Sequence, residues 1–303
     1  MALHSFQQLR YGQHTLEEIQ VHFSPYTYVR VLAMRSKLYK KGDYDKLAKM
    51  SFPEIATALQ DSHYTSEITE VTQQFTDITF DILELALQKN LSRTFLHLKK
   101  ISSGELQLLI DAYLHRYDYT NLKTLLRGIF SGAPPHEIER LFIPVGSLSS
   151  SELKHLWGLG SVEKIVEELP FLSSQRSQVA SALTYFRSHH SLFLLENLLD
   201  HAYFDFIVTF AQRIPIQGQL FRDFLEYEID VLNLKLLLRL KRIQLPETQV
   251  NEHLFFSGKL LPASRLKALA RKDLTGILEL LERTAFGKMI QVHKPALEQG
   301  DSA

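Results

Sequence analysis

The decapeptide Asp118-Tyr-Thr-Asn121-Leu-Lys123-Thr-Leu-Leu-Arg127 returns as Asp230-Val-Leu-Asn233-Leu-Lys235-Leu-Leu-Leu-Arg239, every shared member displaced by 112 residues. The same displacement carries Leu83-Glu84 to Leu195-Glu196, Leu87 to Leu199, Val162 to Leu274 and Ile165 to Ile277. A spacing that holds this far outside the motif marks a duplicated structural unit. Whatever this chain folds into must therefore use one local solution at least twice.

On a helix, at about 100° per residue, Asp118, Asn121, Leu122 and Leu125 share one face. Lys123 and Arg127 fall on the opposite one. The Asp and Asn thus sit inside the apolar stripe, where an unpaired polar group costs roughly 1–3 kcal/mol. They require partners on a neighbouring helix or a turn, and they read first as a device that fixes helix register. The cations at i and i+4 repel by roughly 0.2–0.5 kcal/mol if left alone on an exposed helix. Arg242 extends the basic stripe of the second copy. A solvated face explains such a stripe, and a docking face for an acidic partner explains it more sharply.

A third, degenerate copy lies upstream. Tyr28-Val-Arg30 stands where Asn121-Leu-Lys123 stands, and Met34 takes the place of Arg127. The cation survives at Arg30. Pro25 suits the first turn of a helix running to about Leu38, with Gly42 expected to end it. Ser51-Phe-Pro53-Glu54 and Ser149-Ser-Ser151-Glu152 are helix starts. Apolar residues at steps of three and four, with one longer step, predict a long helical region over Thr65–Lys99, and Gln175–Ile214 matches it in the repeat as a second. The motif helix of the second unit ends at Ser131-Gly-Ala-Pro134-Pro135. Residues 1–23 read as an extension, and the tail from Gly287 as frayed. Strand alternation is nearly absent, and the ten prolines and thirteen glycines fall almost entirely between periodic segments. The expected fold is all-α, in three related units spanning 1–105, 106–217 and 218–303.

Chemistry-bearing motifs are scarce. There is no phosphate-binding G-x-x-x-x-G-K-[ST], no H-E-x-x-H and no G-x-S-x-G. Gly158-x-Gly160 follows a helix and lacks a third glycine, so it is no dinucleotide fingerprint. His189-His190 is the one adjacent pair among thirteen histidines, and adjacent residues do not share a helix face. Asp43-Tyr-Asp45 lacks the Gly and Glu of a calcium loop. Trp157 and Tyr203-Phe204-Asp-Phe206 read as core. With 34 basic and 34 acidic residues the formal charge is zero, which argues against a nucleic-acid binder. Cysteine is absent, excluding disulfides and thiolate metal sites. The N-terminus shows no signal-peptide pattern, and no run approaches the ~18–20 apolar residues of a membrane span. No catalytic residue, cofactor or metal site is expected.

With its repeated D-x-x-N-x-K-x-x-x-R, the chain resembles the C subunits of archaeal-type rotary ATPases, whose vacuolar counterparts are the d subunits. Tyr26-Thr-Tyr28-Val-Arg30-Val-Leu-Ala33-Met34-Arg35-Ser36-Lys37-Leu38 is similar to the family's opening helix. The stretches from Asn121 to Arg127 and from Asn233 to Arg239 look like its second and third. The resemblance covers roughly Pro25 to Phe286, with Tyr28 and Met34 as departures in the first unit. It implies a funnel of three helical domains with pseudo-threefold symmetry. The funnel would sit peripherally on the cytoplasmic face of the membrane proteolipid ring and receive the central shaft subunits of the D and F type. The implied role is mechanical: torque passes between shaft and ring while protons or sodium ions cross. On this reading Arg30, Lys123, Arg127, Lys235, Arg239 and Arg242 line or support the partner-facing wall. The alternatives are a generic helical-repeat adaptor forming an open solenoid and, more remotely, a helical hydrolase.

Overall fold

A computed structural model describes residues 24–75, 77–214, 218–242 and 245–299. The expected extension over residues 1–23 lies outside the described residues. Every regular element among those described is helical. The chain is all-α, as its periodicity requires.

The chain divides into two compact units, the boundary falling between Tyr203 and Phe204. The first begins with α1 (Pro25–Arg35), α2 (Lys41–Leu47) and α3 (Phe52–Gln60). Ser24 caps α1, its Oγ accepting from the Thr27 amide at 3.4 Å, with Pro25 in the first turn. Ser51 and Glu54 form a capping box at α3. Gly42 does not stop a helix as expected. The first helix already ends at Arg35, and Gly42 lies inside α2.

The periodic stretch over Thr65–Lys99 is two helices, α4 (Thr65–Gln74) and α5 (Phe80–Ile101). The chain opens at Phe75, whose backbone is extended, and Thr79 restarts it. Spacing of apolar residues continued across a connection because the connection is itself apolar: Phe75 and Ile78 pack against the buried cluster that includes Leu59, Ile68, Val71 and Leu83. A periodicity count cannot distinguish a core-facing turn from a core-facing helix.

Next come α6 (Gly104–Leu114), α7 (Arg116–Ser131), α8 (Pro135–Arg140), α9 (Ser150–Gly158) and α10 (Val162–Glu168). Gly132 closes α7 in the left-handed region at φ 68°, and its loop amides satisfy the last carbonyls. A β-carbon there would be strained, which explains the glycine before the two prolines. Ser149 and Glu152 box the start of α9. After a 3₁₀ turn over Pro170–Gln175 run α11 (Arg176–His189) and α12 (Phe193–Gln212). The single helical region expected over Gln175–Ile214 is thus also two, parted at His190, which takes φ 51°. The Phe130 and His190 ring centroids lie 5.0 Å apart, one contact made by the residue in that turn.

The second unit holds α13 (Gln219–Arg242), α14 (Glu247–His253), α15 (Ala263–Ala270), α16 (Leu274–Glu282) and α17 (Gly287–Gln299). Asp273 caps α16. The tail from Gly287, expected to be frayed, is helix α17. Ile290 on it is fully buried, and Lys294 reaches Glu282 of α16 at 2.9 Å. Pro295 stands inside α17, a position where a proline is locally unfavourable, with Ile290 of the turn before it buried.

Candidate functional site

The repeated Asp/Asn pair is a buried anchor that ties each motif helix to the loop after it. Asn121 is completely buried. Its Oδ1 accepts from the Ile143 amide at 2.8 Å, and its Nδ2 donates to the Ile143 carbonyl at 2.9 Å. Asn233 does the same to Phe255, accepting at 2.8 Å and donating at 2.6 Å. In each copy one side-chain amide satisfies both backbone groups of one buried apolar residue. Only an amide offers a donor and an acceptor in that geometry, which is why Asn stands in both.

The aspartates secure the next turn of the same loops. Asp118 accepts from the amides of Ser147 and Leu148, both at 2.8 Å, and from Ser147 Oγ. The buried His115 imidazole adds a fourth contact through Nδ1 at 2.7 Å. Asp230 accepts from three amides, Lys259, Leu260 and Leu261, at 2.6–3.0 Å. Each carboxylate lies directly over a glycine, Gly146 or Gly258. His115 has no counterpart in the second copy, where Tyr227 takes its position. There the helix also continues unbroken through α13, whereas α6 and α7 part at His115. Ile143 and Val145, pinned by the anchor, fill an apolar cluster with Leu114. Burial, and then the charge of Asp118, push the Tyr119 phenol well above its usual range. The anchor is architecture: every polar atom of both Asn side chains is spent on backbone.

The basic stripe behaves differently in the three copies. On α7, Lys123 Nζ lies 2.6 Å from Asp200 of α12. Arg127 grips Glu196 of the same helix in a fork, at 2.6 and 2.9 Å. These hydrogen bonds raise the affinity of Arg127 for its proton above the ordinary guanidinium value. The cations of one helix at i and i+4 thus meet carboxylates of another at the same interval, which removes their mutual repulsion. The sequence held this signal, since Glu196 and Asp200 break the apolar run of α12, but the pairing across 69 and 77 residues could not be read from spacing alone.

In the first copy Arg30 is exposed, with Nη2 3.4 Å from His97 Nε2 on α5. Register places Glu84 and Gln88 where Glu196 and Asp200 stand, but Met34 and Gln88 replace one member of each pair. Arg30, Met34, Glu84 and Gln88 line an open groove of roughly 990 Å³ between α1 and α5. The helix holds on elsewhere: Thr27 Oγ1, buried, donates to the Ile101 carbonyl at 2.7 Å. Tyr28, in the Asn position, is half exposed, whereas Asn121 and Asn233 are fully buried. In the last copy Lys235 and Arg239 are exposed on α13, and Arg242 is half-buried. The six cations therefore lie on three separate helices, and Lys123 and Arg127 are joined by one clasp.

Among the described residues no three His, Asp or Glu side chains gather to hold a metal ion, and no helix is long and apolar enough to cross a membrane. Fold and anchors together define an all-helical protein built on a duplicated helix-and-loop unit. A family profile described as ATP synthase (C/AC39) subunit matches residues 27–302. The chain belongs to that family. Curated relatives agree: it is 30% identical over 278 residues to the A-type ATP synthase C subunit of Haloquadratum walsbyi, covering 91% of this chain and 79% of that one. It is 32% identical over 267 residues to the protein of the same name from Methanosarcina mazei, covering 88% and 71%. The one from Methanococcoides burtonii is 31% identical over 266 residues, covering 87% and 72%.

Proposed function

We propose that this chain is a non-catalytic coupling component in the central stalk of an A/V-type rotary ATP synthase. It sits on the cytoplasmic side of the membrane, peripheral to it, on the proteolipid ring. It receives the D- and F-type shaft subunits and passes torque between shaft and ring while protons or sodium ions cross. The observation that carries this reading is the family match over residues 27–302. The anchors support it physically. A torque coupler must resist shear between its helices, and α7 and α13 are each bonded to the following loop by a buried amide and a buried carboxylate. The three-unit division at residues 1–105, 106–217 and 218–303, closing as a funnel with pseudo-threefold symmetry, belongs to the same proposal. So does the partner-facing wall of Arg30, Lys123, Arg127, Lys235, Arg239 and Arg242. Lys123 and Arg127 support that wall by holding α7 to α12 rather than by reaching a partner themselves.

The test is purification of the native membrane complex through a tag on this chain. Co-elution with shaft subunits and proteolipid, lost on dissociating the ring but not on inhibiting ATP hydrolysis, is the expected result. Recovery of the tagged chain with no rotary-ATPase component overturns the proposal.

A further inference from the structure

Helix α1 repeats the motif helix but leaves its core face bare. In the register that sets Tyr28 on Asn121, Tyr26 corresponds to Tyr119, Val29 to Leu122 and Leu32 to Leu125. Tyr119, Leu122 and Leu125 are buried, and so are Leu234 and Leu237, which repeat the two leucines on α13. On α1 the same three positions stand open: Tyr26 is 63% exposed, Val29 62% and Leu32 42%. The chain that follows explains the difference. Ser51 and Ile55 of α3 correspond to Ser161 and Ile165 of α10, but Ile55 follows Arg30 by 25 residues and Ile165 follows Lys123 by 42. One helix, α2, stands between α1 and α3, where α8 and α9 both stand between α7 and α10. In the second copy α9 and α10 pack against α7, whereas α3 of the first packs against α4 and α5.

The bare stripe sits in a cationic part of a chain whose formal charge is zero. Residues 24–51 carry seven Lys and Arg against two Asp, a formal charge of +5. Arg35, Lys37, Lys40, Lys41, Lys46 and Lys49 are exposed, and none forms an ion pair with a carboxylate among the described residues. On α1, at about 100° per residue, Tyr26, Val29 and Leu32 share one side and Arg35 borders it. The α7–α12 clasp shows what a helical protein partner demands: two cations one turn apart, each met by one carboxylate. Around the α1 stripe the cations follow no such line. They run off the helix into the turn after it and along α2. A layer of anionic headgroups meets cations wherever they stand, while the acyl boundary beneath it takes the apolar stripe.

We propose that α1 and α2 form a surface that binds an anionic lipid membrane. Val29 and Leu32 enter the boundary between headgroups and acyl chains. Tyr26 lies at headgroup level, where amphipathic rings are favoured. Arg35 and the lysines from Lys37 to Lys49 rest on the headgroups. The contact lies on the bilayer and does not cross it. The inference goes beyond the stalk reading, which assigns no residue to lipid, and it stands without that reading.

The experiment uses the full chain with vesicles of phosphatidylglycerol and phosphatidylcholine in equal parts, and of phosphatidylcholine alone. Flotation should recover the chain with the anionic vesicles and not with the neutral ones, and rising salt should release it. Because the chain has no cysteine, an environment-sensitive fluorophore at Val29→Cys reports this face alone. Its emission should shift to the blue on anionic vesicles, while the same label at Lys154→Cys on α9 should not move. Val29→Asp/Leu32→Asp and, separately, Lys40→Gln/Lys41→Gln/Lys46→Gln should each weaken binding about tenfold or more. These positions are exposed, and matched melting curves show that the fold is kept. No binding to anionic vesicles, equal binding to both kinds, or full binding by the double Asp variant overturns the inference. So does a Val29→Cys label that is shielded before any vesicle is added, since another copy or the chain itself then covers the face. Shielding in the purified native complex with no response to vesicles also overturns it and makes the occupant a protein. The tagged-complex purification keeps the two readings apart: co-elution without vesicle binding sinks this one alone, and vesicle binding without co-elution sinks the rotary proposal alone.

Discussion

Gly146 lies so close beneath Asp118 that a β-carbon there would meet the carboxylate Oδ1 at 2.2 Å, and Gly258 lies beneath Asp230 with the same distance at 2.1 Å. The carboxylates can bond the following amides only because no side chain stands between. Gly146→Ala must push Asp118 off the Ser147 and Leu148 amides and is expected to cost about 2 kcal/mol or more in urea denaturation. Gly42→Ala is the contrast: it lies in α2 with nothing within 4 Å of the added carbon. It should gain about 0.4–1 kcal/mol. Equal effects at the two sites would show that the Asp118 contact does not matter.

Asn121→Leu leaves the Ile143 amide buried with no partner, while the Ile143 carbonyl keeps the Val145 amide at 2.9 Å. The expected loss is about 1–3 kcal/mol, with the 141–149 loop cut by protease at lower denaturant. Asn121→Asp should restore only part of it, because a carboxylate can accept from the Ile143 amide but offers the Ile143 carbonyl no donor. Asn233→Leu should act alike on the loop holding Phe255. Wild-type protease resistance in either variant would refute the anchor.

The clasp predicts coupling that a solvated stripe does not. A double-mutant cycle on Arg127 and Glu196, 63% and 13% exposed in their side chains, should give about 0.5–1 kcal/mol. Lys123 and Asp200, at 21% and 25%, should couple at least as strongly. Exchanging the charges, as Arg127→Glu/Glu196→Arg, should recover most of the single-mutant loss. A coupling of zero would mean the carboxylates meet these cations without holding the helices.

His63 supplies a pH dependence. Burial, then the charges of Lys37 and Arg93, hold its imidazole below the usual range, with Glu67 opposing. The unfolded chain therefore takes up this proton first as pH falls. The contribution is complete above the unfolded value of about 6.5 and is lost as pH drops through it toward the folded value. Thermal melts from neutral to mildly acidic buffer should show a decline that His63→Gln makes shallower. An unchanged slope in that variant would remove His63 from the account.

The amino-acid sequence alone determined the helical class, the duplication and the burial of Asp118, Asn121, Asp230 and Asn233. Those follow from periodicity and from the cost of polar atoms in an apolar stripe, both local. The helix starts at Ser51 and Ser149 and the loop over 131–135 were legible for the same reason. Only the tertiary structure decided what those buried groups bind, because Ile143 and Phe255 become partners when a loop 22 residues away folds back. It also decided that Lys123 and Arg127 meet Asp200 and Glu196 of α12. The spacing of the two cations does not name those carboxylates, since the energy of a surface charge depends on the element packed against it, and no single segment encodes its neighbour.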